Sequence, residues 1–154
     1  MIAVIQRIER GNVTVDGAVS GSCGAGLCVL LGVAVGDTEA DAEILAKKIL
    51  SLRIFTDDAD KMNLSVKDVK GEMLLVSNFT LLASYKKGNR PDYMGAASPA
   101  EADRLYRYFG TLCEEQLQHV GYGMFGEHMK VNLVCNGPVT ITMDSRVIKP
   151  NPTK

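Results

Sequence analysis

The unbroken apolar run from Gly26 to Val35 limits the fold more than any other stretch of this sequence. An apolar run without alternation is the pattern of a strand buried on both faces. It is also far short of the ~20 residues that span a bilayer. The chain must therefore supply cover for both sides of such a strand. Residues 2 to 22 predict a hairpin, with period-two alternation over Ile2 to Ile8 and a turn at Asp16-Gly17. Asp37 or Thr38 is predicted to cap a helix running to about Arg53, with Ile44, Leu45, Ile49 and Leu52 on one face. Glu72 to Val76 reads as a second apolar strand, ending in Ser77-Asn78-Phe79-Thr80-Leu81.

Residues 83 to 97 read as a long polar loop, a length that is often functional. Ser98-Pro99-Ala100-Glu101 predicts a capping box with proline at the first helical position. The helix that follows buries Leu105, Phe109, Leu112 and Leu117, and Gly121 is predicted to end it. Gly110 within that helix should cost about 1 kcal/mol relative to alanine. Alternation returns over Met129 to Cys135 and Val139 to Met143, and the Asn136-Gly137-Pro138 between them predicts a turn joining two strands. The sum is an α/β domain with a mixed, largely antiparallel sheet and two main helices. One domain is expected over residues 1–149, with 150–154 as a flexible tail.

Net charge is −1 over 154 residues, which excludes a protein that coats nucleic acid by bulk charge. It leaves room for a local basic patch, and the loop bearing Lys86, Lys87 and Arg90 reads either as a solvated surface turn or as a contact to one or two phosphates. The four cysteines form no C-x-x-C pair, and His119 and His128 lie too far apart for a zinc-binding pair. Neither a disulfide framework nor a metal site is predicted; the thiols are expected to be buried or half-buried. The opening residues lack the pattern of a signal peptide, which predicts a soluble, cytoplasmic protein.

Residue chemistry alone offers few candidates. Ser77 and Thr80 stand at a strand end, where a hydroxyl could serve as nucleophile if a base lay beside it, or simply as a hydrogen bonder. His128 is the one candidate base. Phe79, Phe125 and Met129 are most simply core. No nucleophile–base pair can be read from the sequence.

Two segments go further. Ser77-Asn78-Phe79-Thr80-Leu81 and Asn136-Gly137-Pro138-Val139-Thr140 closely resemble the two signature motifs of the D-aminoacyl-tRNA deacylases. The likeness extends to the opening Met1 to Arg7, to Lys86-Lys87-Gly88-Asn89-Arg90-Pro91, and to Gly123-Met124-Phe125-Gly126 before Met129. The resemblance implies a three-layer α/β/β fold and a homodimer that cleaves the ester between a D-amino acid, or glycine, and the 3′ end of tRNA. It implies no metal or organic cofactor and no membrane partner.

The resemblance also implies site roles. Ser77, Asn78, Phe79 and Thr80 would form the catalytic strand end. Gly137 and Pro138, joined by a cis peptide, would reach into the partner subunit's pocket and reject L-amino acids with their carbonyl oxygens. Arg7, Met129, Lys86, Lys87 and Arg90 would bind substrate. Water would attack the ester, helped by the terminal 2′-hydroxyl of the tRNA. A non-catalytic binding module and a relaxed-chirality deacylase of mischarged L-aminoacyl-tRNA are the rival expectations. A plain esterase using Ser77 or Thr80 is a third. The chain departs from the family pattern at Asn78, where glutamine is usual, which shortens the amide's reach by about 1.5 Å. Asn136 stands where an acidic residue is common.

Overall fold

Strand β1 (Ile2–Val15) organises the rest of the chain, because three other strands pair with it. Residues 1–148 are described in this computed structural model, and the expected tail over 150–154 lies outside them. Asp16 and Gly17 both take positive φ, 50° and 79°, as a two-residue hairpin turn requires. They return the chain into β2 (Ala18–Cys23), which pairs with the far half of β1. Strand β3 (Gly26–Gly32) pairs antiparallel with the near half, from Ile2↔Gly32 to Ile8↔Gly26. Helix α1 (Glu39–Leu50) and the short strands β4 (Phe55–Thr56) and β5 (Met62–Leu64) follow. Strand β6 (Glu72–Ser77) lies parallel to β3.

Beyond β6 come a 3-10 turn (Phe79–Leu82) and helix α2 (Pro99–Glu114). Strand β7 (Val120–Tyr122) runs parallel to β6. Strand β8 (Lys130–Asp144) then covers the other edge of β1 along nearly its whole length, before the short helix α3 (Ser145–Ile148).

The apolar run is spent on two cores. Leu27, Val29 and Leu31 of β3, with Met73 and Leu75 of β6, face α1 and α2, where they meet Leu45, Ile49, Leu105 and Phe109. Cys28, Leu74 and Val76 face the opposite way, onto Ile8 and Val13 of β1 and Leu133 of β8. Strand β1 serves both cores, with Ala3 and Ile5 in the first and Ile8 and Val13 in the second. The result is the expected α/β/β layering, with helices on one face of β3 and β6 and folded-over strands on the other. At its start β1 is pinned to the helix layer. The Met1 ammonium pairs with Asp37 at 2.7 Å and donates to Ser145 Oγ at 2.8 Å; that hydroxyl donates to Asp41 at 2.7 Å.

Three local expectations are corrected. The capping box predicted at Ser98 does not form, because Arg104 takes both carboxylate oxygens of Glu101, at 2.6 and 3.2 Å. A capping interaction occurs at α1 instead, where Thr38 N–H donates to Asp41 Oδ2 at 2.9 Å. Gly121 does not end α2, which stops at Glu114; it sits inside β7, where a Cβ would lie 2.3 Å from the Ser22 carbonyl oxygen of β2. Asn136-Gly137-Pro138 is not a turn between two strands. It is a bulge within the single strand β8.

Candidate active site

The end of β6 is held by backbone. Asn78 N–H donates to Leu31 carbonyl oxygen at 2.8 Å, which fixes the strand end against β3. The chain then tightens into the 3-10 turn, capped by the Asn78 side chain. Its Oδ1 accepts from Thr80 N–H at 3.2 Å and from the Thr80 hydroxyl at 2.5 Å. Gly32 makes this close approach possible, since a Cβ there would lie 2.9 Å from Asn78 carbonyl oxygen and 2.5 Å from Leu82 Cδ2.

Beside the turn opens a cavity of about 890 Å³. Leu30, Val76, Phe125 and Leu133 give it apolar walls, and Ser77, Asn78, Phe79, Thr80, His128 and Met129 stand around it. That balance of apolar wall and few polar groups is usual for small-ligand sites. Met129 is set in place by the glycine-bearing segment before it. Its sulfur accepts from Met124 N–H at 3.3 Å, and Gly123 leaves room where a Cβ would lie 2.8 Å from that sulfur.

Four expected residues thus come together with Met129: Ser77, Asn78, Phe79 and Thr80. Arg7, Gly137 and Pro138 meet elsewhere. Gln6 pairs with Thr140 and Ile8 with Cys135, so residues 136–139 of β8 stand opposite Arg7 alone. Arg7 fills the gap, with Nε donating to Asn136 carbonyl oxygen at 2.9 Å and Nη1 to Ile54 carbonyl oxygen at 2.7 Å. The Gly137–Pro138 peptide is cis, and Gly137 has φ 140°. None of these three residues lines the cavity of its own chain. Asn78 makes no hydrogen bond to Arg7 among the described residues; its amide oxygen accepts from Thr80. Lys86, Lys87 and Arg90 are exposed on the loop beyond, outside the cavity lining.

The cavity's chemistry is sparse. Thr80's hydroxyl proton goes to Asn78, and among the described residues no hydrogen bond joins His128 to Ser77 or Thr80. Tyr106, in the cavity wall, donates to Leu75 carbonyl oxygen at 2.9 Å, and burial holds its phenol well above the ordinary tyrosine range. Cys23, Cys28 and Cys113 are pushed up to about 12 by burial, which rules them out as thiolates near neutral pH. No three His, Cys, Asp or Glu side chains gather as metal ligands among the described residues. The catalytic resources left are positioned backbone, hydroxyl and amide groups beside an apolar wall.

Tyr93 is one of the cavity residues that sequence reasoning missed, as is Tyr106. Tyr93 packs edge-on against Phe79, with ring centroids 5.0 Å apart at 75°. The two tyrosines of the long loop, Tyr85 and Tyr93, were the available signal.

The fold is shared with solved structures. It superimposes with TM-score 0.78 on a solved structure titled as a probable eukaryotic D-amino acid tRNA deacylase, over 93% of this chain and 98% of that one, at 16% identity. It superimposes with TM-score 0.89 on a c-Myc DNA unwinding element binding protein, 39% identical over 94% of this chain and 98% of that one. The sequence is also 54% identical over 146 residues to a D-aminoacyl-tRNA deacylase of Dehalococcoides mccartyi strain BAV1, covering 95% of each chain. With residues 4–144 matching the profile of the D-Tyr-tRNA(Tyr) deacylases, the chain belongs to that family.

Proposed function

We propose that this protein hydrolyses the ester linking a D-amino acid to the 3′ end of tRNA. One observation carries the reading: the two signature segments are both tied by hydrogen bonds, but at different places. The first lines a cavity, and the second bulges from the strand edge without lining the cavity of its own chain. Two copies, each offering its bulge to the other's cavity, would complete two sites. This favours a homodimer with shared active sites.

In that arrangement the Gly137 and Pro138 carbonyl oxygens would stand against the substrate's Cα. A D-substituent would leave by the open side, whereas an L-substituent would be driven into peptide oxygen. Overpacking of that kind costs about 1–3 kcal/mol or more in a rigid wall. Selection by backbone leaves the side chain beyond Cβ unread, so many D-amino acids should be accepted. Glycine, lacking Cβ, should pass as well.

The absence of a nucleophile–base pair around the cavity, among the described residues, supports attack by water rather than by Ser77 or Thr80. The terminal 2′-hydroxyl would help place that water. Phe79 and Thr80 N–H groups would stabilise the developing oxyanion. Asn78 must then release Thr80 N–H when substrate arrives.

The test is hydrolysis of D-tyrosyl-tRNA by the purified protein. Thr80→Ala should retain substantial activity, and a 2′-deoxy terminal adenosine should lose much of it. Trapping an acyl group on Thr80 or Ser77 would overturn water attack.

A further inference from the structure

The loop after the 3-10 turn folds back on itself. Ser84 and Asp92 exchange backbone hydrogen bonds at 2.8 and 2.9 Å, so residues 85–91 form the tip of a small hairpin. Gly88, at φ 79°, turns it. The tip reads Tyr85-Lys86-Lys87-Gly88-Asn89-Arg90-Pro91, with three cations and no acid in a chain whose net charge is −1. Tyr85 is 81% exposed. Just behind the tip, Tyr93 and Phe79 form their edge-on pair at the cavity mouth, 37% and 58% exposed.

Three cations lie between two exposed rings within nine residues, Tyr85 to Tyr93, and the second ring lines the cavity. A nucleic-acid duplex keeps its bases stacked inside and offers such rings nothing. A single strand offers both partners, phosphates to the cations and base faces to the rings. We propose that Tyr85 and Tyr93 stack the bases of the unpaired nucleotides preceding the terminal one, while Lys86, Lys87 and Arg90 take their phosphates. The inference rests on the cavity being the aminoacyl-ester site, because a strand that ends in the cavity passes this tip.

The test is direct binding of two labelled, uncharged RNA hairpins, one with a single-stranded CCA-ended 3′ extension and one blunt. Stacking on aromatic side chains predicts that Tyr85→Ala and Tyr93→Ala each weaken binding of the extended hairpin by about 5- to 150-fold. Binding of the blunt hairpin should not change. Tyr93→Phe, which keeps the ring, should restore binding, and removing the three cations should flatten the salt dependence. Equal weakening of both RNAs, or none, overturns the platform. Hydrolysis of D-tyrosyl-tRNA by the unaltered protein is read separately. If it fails while the extended hairpin still depends on both tyrosines, the deacylase reading falls and the platform stands.

Discussion

Arg7 stands where β1 supplies one residue against the 136–139 bulge of β8, and its guanidinium bonds two carbonyls, those of Asn136 and Ile54. Charge-assisted bonds of this kind contribute about 1.5–3 kcal/mol each. Arg7→Ala should lower stability by on the order of 2 kcal/mol, a fall of roughly 4–8 °C in Tm. Deacylation should fall further than stability alone explains. Arg7→Lys should not restore either, because one ammonium cannot reproduce the planar fork. Thermal unfolding and single-turnover hydrolysis check both statements.

The thiols give a second residue-level prediction. The folded state holds the protons of Cys23, Cys28 and Cys113 to about 12, against an ordinary 9.0. Their contribution to stability is therefore intact below pH 9 and is lost as pH rises from 9 toward 12. A thiol reagent at pH 8 should reach no native cysteine except the exposed Cys135, and all four after unfolding. Stability in urea should decline above pH 9.

At the scale of elements, two glycines show what a linear reading sees and misses. Gly110 looks like a weak point in α2, and alanine there would ordinarily gain about 1 kcal/mol. In the fold, a Cβ at 110 would lie 2.5 Å from Tyr122 Oη and 2.6 Å from its Cε1. Gly110→Ala should therefore destabilise by about 1–3 kcal/mol. In a Tyr122→Ala background the same substitution should become stabilising, and a double-mutant cycle in urea reads the change of sign. Gly121 resembles a helix terminator because its role is set by β2, about a hundred residues earlier in the chain, crossing close to its backbone.

Likewise Asn136-Gly137-Pro138 carries turn chemistry that serves a bulge as well as a hairpin. What decides is the long partner strand β1, which keeps β8 paired on both sides of the interruption. The elements set by local pattern, β3, β6, α1 and the start of α2 at Pro99, lie close to their predicted positions. The residues of the strand-end site were legible through their motif. The cavity around them was not, because its walls come from strands β3, β6 and β8, from α2 and from loops far apart in the chain.

For the whole molecule, the separation of cavity and bulge predicts that one chain is incomplete. Among the described residues β8 pairs with β1 alone, which leaves its other edge open for the matching strand of a second copy to cover. Light scattering should find twice the monomer mass. Cys135, which lies on β8 next to the bulge, should react with thiol reagents more slowly at concentrations where the dimer persists. A monomer that retains full, stereoselective activity would rule out a selecting wall supplied by a partner.

The most direct test is the initial rate of ester hydrolysis on D-tyrosyl-tRNA and L-tyrosyl-tRNA, with the same purified protein at the same concentration. A wall of peptide oxygens at the reacting centre predicts rapid release of the D-amino acid and little release of the L-form above the uncatalysed background. Comparable rates for the two would contradict selection by that wall.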